Sequence, residues 1–125
     1  MLDTHAVIWW LAGKPRLSAR ARSVIGSRRN EILVSAASVW EIALKARSGK
    51  LSLALDAGRD LLAEIADQGF LPLAVTWEQA HHTLDLGGAH RDPFDLLLIS
   101  QALLEKLTVV GADAAFDAYG VHRIW

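Results

Sequence analysis

Four short apolar runs, separated by helical patterns, constrain the fold more than any other feature of this chain. The runs are "EILVS" at 31–35, "FLPLAV" at 70–75, "LTVVGA" at 107–112 and "VHRIW" at 121–125. Each has the length of a strand and is bounded by polar or glycine positions. Between them lie longer segments with helical periodicity and usable ends. "SARARSVIGS" begins at Ser18, "SAASVWEIALKARSG" begins near Ser35 and stops at Gly49, and "DAGRDLLAEIADQG" runs from Asp56 to Gly69. "TWEQAHHTLDLGG" carries Thr76 and Gln79 at capping-box spacing. Strands alternating with helices of this length predict an α/β fold: a central, mainly parallel sheet flanked by helices in a three-layer α/β/α arrangement. At 125 residues there is room for one domain, 1–125, and little for a second.

Two segments need separate argument. In "MLDTHAVIWWLAG" only Met1 and Leu2 precede Asp3, so a first strand ending at Asp3 is a stub followed by the helix "HAVIWWLA". If that strand belongs in the sheet centre, the chain is short at its start, and an upstream start codon would lengthen it. In "AHRDPFDLLLISQALL", Asp92 and Asp95 stand at the mouth of a strongly apolar run. Asp92 is a good N-cap, Pro93 suits the first helical position, and Asp95 meets the positive end of the helix dipole.

The overall charge limits the partners. Thirteen basic and 14 acidic residues are too evenly balanced for a basic nucleic-acid arm, so any nucleic acid must be held locally. With no cysteine, disulfide frameworks and thiolate metal sites are excluded. No apolar run reaches the roughly 18 residues of a membrane span, and the amino terminus lacks a signal-peptide pattern. The expectation is a cytoplasmic protein with no membrane partner.

In an open parallel sheet, ligands bind beyond the carboxyl ends of the strands. Asp3 follows the first stub and Asp113 follows "LTVVGA", which places both at that edge. Glu41 lies in the second turn of the helix after "EILVS", and Asp95 in the first turn of the helix feeding the Asp113 strand. Four carboxylates from four segments are therefore expected to project toward one rim. Crowded carboxylates repel unless a cation intervenes. Hard ions such as Mg²⁺ or Mn²⁺ prefer oxygen ligands and can be shared with substrate phosphate. The chemistry this favours is metal-assisted phosphodiester hydrolysis by an oriented, activated water. Each acid also has a structural explanation. Glu41 and Lys45 form an i,i+4 pair, while Asp3 and Asp113 can cap the segments that follow them.

The stretches "LDTHAVIWWLAG", "LSARA", "LVSAASVWEIALKARSGKL", "HRDPFDLLLISQAL" and "GADAAFDAYGV" together resemble the PIN-domain ribonucleases, specifically the VapC-like toxins of bacterial type II toxin-antitoxin modules. The family's acidic quartet falls on Asp3, Glu41, Asp95 and Asp113. The resemblance implies Mg²⁺- or Mn²⁺-dependent RNA cleavage, homodimerisation, and inhibition by a cognate antitoxin whose tail occupies the active-site groove. It assigns catalysis to Asp95 and leaves Asp92 as the helix cap. Two departures stand out: only two residues precede the first acid, and Gly111 occupies a position where the family often has Thr or Ser. Thr4 or Ser38 is the candidate to replace that hydroxyl.

Other residues are secondary. His5 follows Asp3 closely enough to approach the metal site, and Lys45 and Arg91 are candidate RNA contacts; His90 is another. Phosphate contacts from such residues position a strand without reading its sequence. "KARSGK" and "GSRRN" supply further cations, which solvated helix ends explain equally well. His81 and His82 are adjacent and point to different sides of a helix, so no zinc spacing exists. Trp9, Trp10 and Trp40 could stack bases, but aromatic residues in helical apolar patterns are more often core or dimer contacts, and the core is the expectation here. Two rivals to an endoribonuclease stay open: the same fold acting on DNA, and a catalytically degenerate binder of RNA or antitoxin.

Overall fold

A computed structural model describes residues 1–51, 60–88 and 92–125. The polypeptide begins at the centre of its sheet. Leu2 forms parallel bridges to both Val34 and Val110, joining two strand pairs that among the described residues are not otherwise paired with each other. On one side lie β1 (Leu33–Ser35) and its parallel neighbour β2 (Leu71–Leu73). On the other lie β3 (Val109–Val110) and its parallel neighbour β4 (Arg123–Ile124). The spatial order is thus β2, β1, Leu2, β3, β4. Hydrogen bonds from Leu2 N to Leu33 O and from Asp3 N to Val110 O, 2.9 and 3.0 Å long, secure the central stub. Its neighbours on both sides compensate for its shortness.

The two faces of this sheet follow from strand alternation. Leu2, Val34 and Val110 enter one core with Ala6, Val7, Ala21, Ile25 and Ile65. Met1 and Val109 point the other way, into a second core with Leu98, Ile99, Ala102 and Phe116. The first layer contains α1 (Thr4–Leu11), α2 (Ala19–Gly26) and α4 (Leu61–Asp67). The second contains α6 (Pro93–Leu104) and the 3-10 helix Ala114–Tyr119. Between them α3 (Ala36–Arg47) contributes Ala37 to one core and Ile42 to the other, and α5 (Trp77–His82) packs on α6. The expected α/β fold with a parallel sheet is present.

Local signals set most of the helix ends. Ser18, Ser35, Thr76 and Asp92 cap α2, α3, α5 and α6, with the full capping box at Thr76 and Gln79. Gly49 has φ +72°, a left-handed conformation suited to glycine, just after α3 ends. The first helix starts at Thr4, one residue earlier than expected, because Asp3 is its cap. The expected helix start at Asp56 lies outside the described residues; α4 is capped by Asp60. All four strands are shorter than their apolar runs, since ladder pairing extends only where a neighbour runs alongside. Pro72 sits in β2, which among the described residues pairs only with β1 and so tolerates a residue without an N–H.

A buried polar network ties the second layer to β1. Gln101, fully buried on α6, accepts from Ser35 Oγ at 2.6 Å and donates to Ala74 O at 2.9 Å and Gln79 Oε1 at 3.0 Å. Gln79 in turn donates to Glu105 Oε1 at 3.1 Å. Gln101→Ala strands several buried groups and opens a cavity, so it is expected to cost about 2–4 kcal/mol. Urea unfolding tests this; an unchanged midpoint would show that the network does not hold α6 in place.

Candidate active site

The order of strands reverses at Leu2, and the crevice beyond the carboxyl ends of the strands opens there. Asp3 enters it directly from Leu2, α3 begins at the end of β1, and Gly111 to Asp113 follow β3. Asp3 is almost wholly buried; its Oδ1 accepts from Ala6 N at 2.5 Å as the cap of α1. Burial pushes its carboxyl up from an ordinary 3.8 to about 6. That value already includes a smaller upward push from the charge of Asp95 and the opposing effects of the Ala6 hydrogen bond, the charge of His5 and the Ala112 hydrogen bond. Asp3 and Asp95, 92 residues apart in sequence, therefore share one electrostatic neighbourhood.

Gly111 is part of this arrangement. A Cβ built on it would overlap the Asp3 carboxylate. The space a Thr or Ser side chain would take at 111 is thus filled by Asp3 itself. The candidate replacement hydroxyls lie together on the opposite side: Thr4 Oγ1 donates to Ser38 Oγ at 3.1 Å, with both residues buried. That bond joins the start of α1 to the first turn of α3. Three residues further along, and hence on the same helix face, is Glu41.

Glu41 is buried, and its Oε1 pairs with Lys45 Nζ at 2.5 Å. The expected i,i+4 pair is present, but its acid faces the interior instead of decorating the surface. Lys45, about one-third exposed, reaches the rim beside it. Asp113 is exposed and caps the 3-10 helix, accepting from Ala115 N at 2.8 Å. Asp92 Oδ1 accepts from Phe94 N at 2.9 Å and Asp95 N at 3.4 Å, as expected of a cap. His5 is exposed, with its ring 5.5 Å from that of Trp9. Arg91 and His90 lie outside the described residues.

The structure draws the four acids to one edge less tightly than expected. Among the described residues no three His, Asp or Glu side chains are spaced to hold a metal ion. Each of Asp3, Glu41 and Asp113 is engaged by a donor on its own element. Asp3 and Asp95 remain a workable pair, because Mg²⁺ commonly takes only one or two carboxylates and keeps its remaining waters. A buried carboxylate that feels the charge of a second one is also an arrangement that a divalent cation would relieve.

Two features escaped the sequence reading. Arg123 on β4 makes a bidentate pair with Asp117, at 2.8 and 2.7 Å, and donates to Gly111 O at 3.0 Å. Its guanidinium is held above the usual arginine range, first by Asp117, with smaller contributions from Asp113 and Asp3. It braces the strand end that carries Gly111. Trp40, expected in the core, is 58% exposed, whereas Trp9 and Trp10 are partly buried against the first core as expected.

The chain belongs to the PIN domain family, which it matches over residues 1–121, and PIN domains are generally nucleases that use divalent metals. No curated protein matches the chain. Among the described residues, no helix is long and apolar enough to cross a membrane.

Proposed function

We propose that this chain is a Mg²⁺- or Mn²⁺-dependent endoribonuclease of the VapC type, the toxin of a toxin-antitoxin pair. What supports this reading is the PIN-domain family match together with the buried Asp3 at the switch point of the sheet, where it feels the charge of Asp95. Asp3 and Asp95 hold the metal, with Glu41 and Asp113 from the flanking segments completing the acidic edge. When bound, the ion supplies charge neutralisation at the phosphate and a more acidic water. Lys45 meets substrate phosphate at the rim, Arg91 adds a second contact, and His5 lies beside Asp3 at the mouth. The protein works in the cytoplasm as a homodimer and is silenced by a cognate antitoxin laid along the groove.

A second reading has its own support. A PIN-fold protein that binds RNA or antitoxin without cutting is favoured by the absence of a three-ligand cluster among the described residues. Cleavage of labelled single-stranded RNA and DNA, with Mg²⁺, Mn²⁺ or EDTA, separates the readings. RNA cut only with metal is the expected result. DNA cut in preference would change the substrate, and no cleavage by folded protein freed of any antitoxin would favour the binder.

A further inference from the structure

The peptide unit between Gly111 and Ala112 is held at both ends. Its carbonyl, Gly111 O, accepts from Arg123 Nη1 at 3.0 Å. Its N–H, that of Ala112, donates to the Asp3 carboxylate. A trans peptide is planar and points its C=O and N–H in opposite directions. A donor on one side and an acceptor on the other therefore fix how this peptide is turned. The Asp3 carboxylate is correspondingly held on two sides: Oδ1 accepts from Ala6 N as the cap of α1, and Oδ2 lies against Gly111.

Arg123 is itself aimed. Its Nε and Nη2 donate to the two oxygens of Asp117 at 2.8 and 2.7 Å. Because a guanidinium is flat and rigid, this fork sets the direction of the remaining Nη1 donor. Asp117 lies on the 3-10 helix that follows Gly111 to Asp113, and Arg123 lies on β4, which returns beside β3. The chain from 111 to 123 thus closes on the back of one peptide bond. An Arg–Asp pair whose acid is half exposed contributes little to stability by itself. What distinguishes this pair is its third hydrogen bond, made to a peptide whose other end meets Asp3. A cation on the carbonyl side also polarises the peptide and strengthens its N–H as a donor.

We infer that Arg123, aimed by Asp117, is a positioning residue for Asp3: it holds the Gly111–Ala112 peptide with its N–H toward the carboxylate, so that Asp3 keeps one orientation toward a divalent cation in the crevice. This rests on the proposed nuclease reading for the choice of ligand and extends the site to two residues that touch neither cation nor substrate.

The test removes the pair without changing the net charge. The Asp117→Ala, Arg123→Ala double variant loses one charge of each sign, so altered cation affinity cannot be assigned to overall attraction. Amide hydrogen exchange of the metal-free protein in EDTA, read residue by residue by NMR, should show Ala112 N–H exchanging about tenfold faster, as for loss of one hydrogen bond that a charge supports. Ala6 N–H and the amides of α6 should keep their rates. Binding of Mn²⁺, measured by calorimetry without nucleic acid, should weaken about tenfold, the lower end for partners that orient a metal ligand. Arg123→Lys keeps the charge but not the flat fork, and should move both readouts the same way by less; it carries the test if the double variant does not fold. Unchanged exchange at Ala112 would overturn the assignment. Equal acceleration of all amides would overturn it too and leave the pair as a brace of the fold. Equal Mn²⁺ affinity in wild type and variant would overturn it while leaving the nuclease reading intact. Faster exchange confined to Ala112, in a protein whose wild type binds no Mn²⁺, would uphold the hold on Asp3 and remove the nuclease reading.

Discussion

Asp95→Asn should abolish metal-dependent cleavage, lowering the rate on the order of a hundredfold or more, while leaving the protein folded. The amide keeps the size of the carboxylate but loses the charge that ligates a hard cation, and such a cation contributes several kcal/mol of transition-state stabilisation. The fold has reason to tolerate the change. Loss of the favourable term at the start of α6 is worth about 0.3–1 kcal/mol, and the repulsion with Asp3 is relieved at the same time. Asp113→Asn should act in the same direction, since an asparagine oxygen can still accept from Ala115 N. Asp92→Asn is the control within the same turn. Asparagine caps as well as aspartate, so the bonds from Phe94 N and Asp95 N persist and cleavage should fall little. Single-turnover rates on labelled RNA, with circular dichroism to verify folding, check all three. Full activity in Asp95→Asn would remove that residue from the mechanism. A large loss in Asp92→Asn would exchange the roles of the two acids.

The parts of this molecule legible in sequence are those specified by local chemistry. Ser18, Ser35, Thr76, Asp92 and Pro93 mark helix starts because a cap acts within one turn. The rule that parallel strands end at a common rim put Asp3 and Asp95 at one edge as an expectation, and the charge of Asp95 is felt at Asp3. Gln101 was not: a glutamine inside an apolar helix gives no periodic signal, and its partner Ser35 is 66 residues away. Trp40 was misread because patterning assumes that the apolar stripe of a helix turns inward. On α3 Ala37 and Ile42 do turn inward, but Ser38 and Glu41 are buried with them, and the indole is turned out beside Phe94. Gly111 was noticed for the hydroxyl it lacks. Its role depends on the Asp3 carboxylate lying where a side chain would be, and no spacing within one segment reveals that.

Asp3 should make the metal-free protein less stable as pH rises, and Asp3→Asn should remove that dependence. With an ordinary value of 3.8 and a folded value of about 6, the native state holds a proton on Asp3 over a range where the unfolded chain has released it. The Asp3 contribution is then greatest below about pH 4, falls as pH rises through 6 and is gone above it, the reverse of a salt-bridged aspartate. The buried Met1 ammonium, pushed down to about 6, acts in the opposite sense between about pH 6 and 8 and does so in the variant as well. For Asp3 the difference corresponds to roughly 3 kcal/mol lost by pH 7.5. Asparagine cannot ionise and still accepts from Ala6 N as a cap. It meets the Ala112 N–H less well, so the net gain should be smaller, about 1–2 kcal/mol. Thermal unfolding of both proteins in EDTA between pH 4 and 8 measures this. Adding Mg²⁺ at pH 7.5 should then stabilise the wild type by about 1.4 kcal/mol at ten times its Kd and the variant by much less. The acid that weakens the empty fold is in this account the one that holds the cation, so loss of activity and gain of stability should arrive in the same substitution. An Asp3→Asn protein no more stable than the wild type at pH 7.5, or equally stabilised by Mg²⁺, would separate the two and leave Asp3 as a helix cap alone.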